Sequence, residues 1–176
     1  MEKMLPQRSF VLGGASSGKS LWAEQLTESY GLSMIYLATG QAFDDEGQAR
    51  IKNHQKRRDH RWQTIEAPLD VGGVLDGLTP ENVVLVDCAT MWLSNHMLAE
   101  NKLDQAQNDL REALRRCAAP WVVVSNEVGQ GIVPDNALAR QFREAQGALN
   151  IMLASEATLA VQVIAGLPLV LKGTLP

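Results

Sequence analysis

The run Gly13-Gly14-Ala15-Ser16-Ser17-Gly18-Lys19-Ser20 constrains this chain more than any other stretch. It matches the pattern G-x-x-x-x-G-K-[ST], and each part of that pattern has a physical purpose. The glycines let successive backbone N–H groups turn inward around phosphate oxygens. Lys19 reaches the outer phosphates, and the Ser20 hydroxyl suits Mg²⁺. A helix beginning near Lys19 would direct its positive end at the same anion. The context fits: the apolar run Phe10-Val11-Leu12 precedes the loop and a helical pattern over 19–29 follows it. The expectation is a strand–loop–helix unit that binds a purine nucleoside triphosphate with Mg²⁺.

The rest of the chain supplies matching units. Apolar runs rich in Val and Ile occur at 34–38, 83–86, 121–125 and 159–164. They are continuous rather than alternating, as strands covered on both faces should be. Helical patterns over 44–60, 90–100, 103–118 and 136–155 separate them, and 71–77 reads as a helix weakened by three glycines. Strands alternating with helices predict a three-layer α/β fold of P-loop NTPase type with a mostly parallel central sheet. The segment 166–175, interrupted by Pro168, reads as a last strand or a tail packed on the core. The 176 residues suggest one nucleotide-binding domain spanning 1–176.

Charge and composition exclude several classes. The net charge of −4 argues against a chain built to coat nucleic acid or an anionic membrane. No run of 18 apolar residues predicts a membrane span, and residues 1–8 lack the apolar core of a signal peptide. Cys88 and Cys117 fit neither a CxxC pair nor a metal-ligand spacing, so buried thiols in a reducing cytoplasm are expected.

A P-loop needs an acidic partner on a neighbouring strand to hold Mg²⁺ directly or through water. Asp87, directly after Val83-Val84-Leu85-Val86, is placed where ligands bind in open α/β sheets. Asn101-Lys102-Leu103-Asp104 imitates the NKxD guanine-reading pattern of regulatory GTPases. It follows a helical pattern instead of a buried strand, and no DxxG switch follows Asp87. It reads instead as a helix break with Asp104 near the next helix N-terminus.

The segment 44–62 concentrates positive charge in an acidic protein: Arg50, Lys52, Lys56, Arg57, Arg58 and Arg61 surround His54. On a helix, Arg50, His54 and Arg58 share one face. Cationic neighbours bias an imidazole toward its neutral, nucleophilic form. His54 is therefore a candidate nucleophile toward a triphosphate held by the same cations, against the plainer reading of a surface histidine. His60 and His96 lack such a setting and default to structural roles. Residues 126–134, after the fourth strand, are either a structural loop or one near the substrates, with Glu127 as its polar group.

These residues together resemble the bifunctional adenosylcobinamide kinase / adenosylcobinamide-phosphate guanylyltransferase family. The resemblance rests on Leu12 through Ser20, Tyr36-Leu37-Ala38-Thr39-Gly40, Phe43-Asp44-Asp45-Glu46, Ala49-Arg50-Ile51 with His54, Trp62-Gln63-Thr64 with Glu66, Leu85-Val86-Asp87-Cys88, Trp92-Leu93-Ser94-Asn95, and Ser125-Asn126-Glu127-Val128-Gly129-Gln130-Gly131-Ile132-Val133-Pro134. It implies phosphorylation of adenosylcobinamide by ATP or GTP, then transfer of GMP from GTP to the resulting phosphate through a histidine–GMP intermediate. His54 takes the guanylylated position. Gly13, Gly14, Ala15, Ser16, Ser17, Gly18, Lys19, Ser20, Ala38, Thr39, Gly40, Gln55, Lys56, Arg57, Arg58, Glu66 and Asp87 fall on nucleotide-contacting positions, with Ser20 and Asp87 toward Mg²⁺. Ser16 stands where the family often has Arg, and Asn53 where some members have a second histidine. The resemblance also implies a cytoplasmic homo-oligomer, a trimer being one form. Two other readings compete with it: a P-loop small-molecule kinase without guanylyl transfer, and a nucleotide-binding switch.

Overall fold

The computed structural model describes residues 4–41 and 58–176. Seven strands form one sheet in the order β3-β2-β4-β5-β1-β6-β7. The strands are β1 (Arg8–Gly13), β2 (Ser33–Ala38), β3 (Trp62–Glu66), β4 (Asn82–Asp87), β5 (Trp121–Asn126), β6 (Leu159–Ile164) and β7 (Leu167–Lys172). Five described helices cover it: α1 (Lys19–Glu28), α2 (Val71–Asp76), α3 (Ala89–Leu98), α4 (Leu103–Arg116) and α5 (Ala137–Glu156). All strand pairs are parallel except β6 with β7.

The continuous apolar runs explain the three layers. In β4, Val83 and Leu85 join the core beneath α1, while Val84 and Val86 join the core beneath the other helices. The same alternation splits β5, with Val122 and Val124 on the α1 face and Trp121 and Val123 on the other. A strand apolar on both sides in this way is stable only between two helical layers.

One strand was not anticipated, and two expectations need correction. Trp62–Glu66 is a strand that went unread: Trp62, Thr64 and Ile65 favour strands, but the run is short and lacks the continuous apolar pattern of the others. Only Trp62 is buried; Gln63, Thr64 and Glu66 are exposed, as an edge strand permits. The segment 166–175 does contain a strand, but β7 is not packed on the core: it is an exposed antiparallel edge. Pro168 is tolerated there because an edge strand can spare a donor. The helical pattern over 44–60 lies mostly outside the described residues, and its end is not helical: Arg58 and Asp59 are irregular and His60 is in a turn.

Connections out of β1 run past β5 and β4 to β2, whereas those out of β5 return past β1 to β6. The crevice between the carboxyl ends of β1 and β5 is thus the switch point of the sheet, where open α/β sheets bind ligands. Asn101-Lys102-Leu103-Asp104 follows a helix, not a strand. Its first two residues are irregular and Asp104 sits in the first turn of α4, so the rejection of a guanine-reading motif holds.

Candidate active site

The loop between β1 and α1 has the shape its sequence demands. Gly18 precedes α1 at φ +90°, in the left-handed region that favours glycine. A side chain at Gly13 would press on Ser17 Oγ and lie 3.0 Å from the Val163 carbonyl oxygen. The Gly166 amide, from the β6–β7 turn, donates to the Ser17 carbonyl at 2.8 Å and holds the loop from the far side. Lys19 Nζ donates to the Gly14 carbonyl at 2.9 Å, so the loop's own backbone occupies the ammonium. Burial lowers the Lys19 pKa, while the nearby Cys88 and Asp87 oppose that shift.

The strand ends bring the other candidates to the same edge. Ala38 pairs with Asp87 on one side and Glu66 on the other. Paired residues of parallel strands point to one face, so Asp87 and Glu66 flank Ala38 on the α1 face, about 10 Å apart across two strand spacings. Tyr36, two residues earlier on that face, donates its hydroxyl to Asp87 Oδ2 at 3.0 Å. Burial, and then the Asp87 charge, push the Tyr36 pKa up, which keeps the phenol a donor.

Thr39 is fully buried and its hydroxyl is committed to structure: it accepts from the Cys88 amide at 2.8 Å and donates to the Cys88 carbonyl at 2.7 Å. Asn95 Nδ2 donates to the Thr39 and Pro68 carbonyls at 2.8 and 2.9 Å. A nucleotide at Thr39 would therefore meet backbone and not the hydroxyl. Cys88 is buried, caps α3 through the Met91 amide, and is pushed up to about 12 by that burial. It is an inert thiol. Cys117 is free and half-buried.

His54, Gln55, Lys56 and Arg57 lie outside the described residues. Arg58 lies within them. Its guanidinium stacks 3.3 Å from the centroid of the Tyr36 ring, and Nη1 lies 4.0 Å from Glu24 Oε1 of α1. Both side chains are buried, at 5% and 7% exposure. Arg58 ties the end of the basic segment to the helix that carries the phosphate loop; the helix face proposed for it with Arg50 and His54 lies outside the described residues. His96 packs on Trp92 and hydrogen-bonds Asn101 and Leu69, a structural role as expected.

Sequence reasoning gave no individual role to three residues that shape this edge. Glu24 and Tyr36 are a buried charge and a buried hydroxyl inside ordinary helix and strand patterns. Asn126 ends β5 two positions beyond the level of Asp87, since Val124 pairs with Asp87 and Asn126 with Gly13. The motif running from Ser125 to Pro134 contains it, and its place at the end of an apolar run is the signal that singles it out.

A family model described as cobinamide kinase / cobinamide phosphate guanyltransferase matches residues 9–171, nearly the whole described fold. The chain belongs to this family. Among curated relatives, the "Bifunctional adenosylcobalamin biosynthesis protein CobP" of Pseudomonas aeruginosa is 39% identical over 94% of this chain and 98% of that protein. The protein of the same description called CobU, from Escherichia coli K12, is 35% identical over 92% of this chain and 98% of its own. The fold alone is shared with a Pyrococcus horikoshii structure titled "Structural study of Project ID PH0250". It has a TM-score of 0.56 at 10% identity and covers 96% of this chain and 87% of that one.

Proposed function

We propose that this chain phosphorylates adenosylcobinamide with ATP or GTP, and then transfers GMP from GTP to the phosphate through a phosphoramidate on His54. Membership of the family, together with a phosphate loop facing an acidic strand end, carries this reading over a kinase without guanylyl transfer. The loop amides and Lys19 hold the phosphates, and Lys19 leaves the Gly14 carbonyl to do so. In the first transfer the acceptor hydroxyl oxygen bonds the γ-phosphorus as the bond to the leaving diphosphate breaks. In the second, neutral His54 attacks the α-phosphorus and pyrophosphate leaves; the cobinamide phosphate then takes the GMP. Lys19 and the loop amides stabilise charge on both leaving groups.

Ser20 and Asp87 offer hard oxygen donors beside the phosphate loop, the donor set Mg²⁺ prefers when phosphates and water complete its shell. Among the described residues no cluster of three His, Cys, Asp or Glu could hold a metal by itself, which agrees with a cation that arrives with the nucleotide. When bound, the cation would neutralise charge on the leaving phosphates.

Ile164, Leu167, Leu169 and Leu171 expose an apolar strip on the face of the β6–β7 edge opposite α1, at 53–70% exposure. That strip supports assembly with further copies of the chain, a trimer being the form the family suggests. No described helix is long and apolar enough to cross a membrane; this and the biosynthetic reading support a cytoplasmic location.

Incubation with GTP labelled in the α-phosphate tests the central step. The expected result is acid-labile, alkali-stable label on the protein that disappears in His54→Ala. An active wild-type protein that takes no label would refute guanylylation. Transfer of γ-label to cobinamide tests the kinase step separately.

A further inference from the structure

Asn126 is the one residue at the carboxyl edge of the strand that separates the phosphate loop from Asp87. Strand β5 pairs with β1 on one side and β4 on the other, so its tip lies between the cradle and the acidic strand end. Beyond Asp87, β4 no longer pairs with β5. The freed backbone of Asn126 is taken up from the other helical layer: its amide donates to Thr90 Oγ1 at 2.8 Å, and its carbonyl accepts from Asn150 Nδ2 at 3.2 Å. Asn150, Ser125 and Gln146 are themselves joined by hydrogen bonds of 2.7–2.9 Å, and all three are buried. On the other side, the Glu127 amide donates to the Gly13 carbonyl at 3.0 Å and ties the tip to the phosphate loop. A buried polar network of this kind rigidifies the backbone it holds.

The side chain held by this network has no partner of its own. Along β5 the side chains alternate, with Ser125 toward α3 and α5 and Asn126 on the α1 face with Val122 and Val124. Oδ1 is shut off from solvent and receives no hydrogen bond, and among the described residues Nδ2 donates to none. Only the oxygen end of the amide is shut off from solvent, which leaves its two N–H donors available, on a residue whose pairing with Gly13 sets it at the base of the cradle. Leaving a buried acceptor unsatisfied is unfavourable. Keeping it fixed there is understandable if the opposite end of the amide meets a ligand.

We infer that Asn126 reads the terminal phosphate of the bound nucleotide, donating from Nδ2 to a γ-phosphate oxygen and so distinguishing a triphosphate from a diphosphate. This rests on the reading of the loop as a triphosphate cradle. Asn126 then acts in the hydroxyl-phosphorylating step by orienting the phosphoryl group to be transferred. Attack on the α-phosphorus has no direct need of it.

The test measures Mg²⁺-supported binding of GDP and of the β,γ-imido analogue of GTP. It is done in a His54→Ala background so that no guanylyl transfer consumes the ligand. Wild-type Asn126 should favour the triphosphate. Asn126→Ala should weaken the analogue about tenfold, the usual worth of a charge-assisted hydrogen bond, with GDP changed less than about twofold. Asn126→Asp, of the same size but negatively charged, should weaken the analogue further and GDP only slightly. GDP affinity reports whether the cradle is folded in each variant. Equal losses for both nucleotides, or no loss for either, overturn the inference. A protein without Asn126 changes that binds neither nucleotide overturns the cradle reading along with it. A selective loss in a protein whose His54 takes no α-label supports the inference while refuting guanylylation.

Discussion

Lys19 and Asp87 stand at the same sheet edge, and the roles proposed for them can be separated by substitution. Lys19→Ala removes the one side-chain cation of the phosphate loop. Both transfers should fall at least about 100-fold, the usual cost of losing a charge stabiliser aimed at a transition state. Initial rates with γ- and α-labelled GTP check this; a loss confined to one label would mean that the two reactions do not share the cradle. Tyr36 would act on the proposed Mg²⁺ site through Asp87, to which its hydroxyl donates. Tyr36→Phe keeps the ring under Arg58 but deletes the donor 3.0 Å from Asp87 Oδ2. The Mg²⁺ concentration for half-maximal activity should rise about tenfold, as when outer partners of metal ligands are removed. A magnesium titration at saturating nucleotide reads it, and an unchanged midpoint would refute the role. The glycine loop and Asp87 were legible as residues because their spacing is local and their chemistry admits few substitutes. Tyr36 and Glu24 were not, since a buried Tyr or Glu carries no sequence sign of the partner it will meet.

At the level of elements, α4 and α5 are joined by Glu156, which receives hydrogen bonds from Arg111 at 2.6 Å and Arg115 at 2.9 Å. The Glu156 side chain is only 7% exposed. Arg115 first, and Arg111 with it, hold its carboxyl below the ordinary range. A carboxylate depressed on folding stabilises the protein above its unfolded pKa of about 4.3, and that contribution is lost as pH falls through the lower folded value. Glu156→Gln should lower stability at pH 7 by about 1 kcal/mol, because its arginine partners are part-exposed. Its melting temperature should then fall less than that of the wild type between about pH 5 and pH 3. Parallel loss in both proteins would show that the pair contributes nothing. The strands buried on both faces were legible from their continuous apolar runs. The edge strands β3 and β7 were harder: an edge has no apolar second face to write its pattern.

For the whole molecule, the strip of Ile164, Leu167, Leu169 and Leu171 is an apolar surface that the described residues leave exposed. If copies assemble through it, Leu169→Lys should yield a smaller species in sedimentation velocity while leaving the monomer folded, because Leu169 lies outside both cores. An unchanged sedimentation coefficient would place the interface elsewhere. The amino-acid sequence by itself determined the phosphate loop, the layered α/β order and the acidic strand end, since each is encoded in short-range spacing and periodicity. It also carried the family resemblance that the relatives bear out. Only the tertiary structure decided which strand lies between the loop and Asp87, that Arg58 is buried on Tyr36, and that Asn126 ends up unpartnered beside Gly13. Those facts depend on strand order and long-range register, which no local pattern specifies.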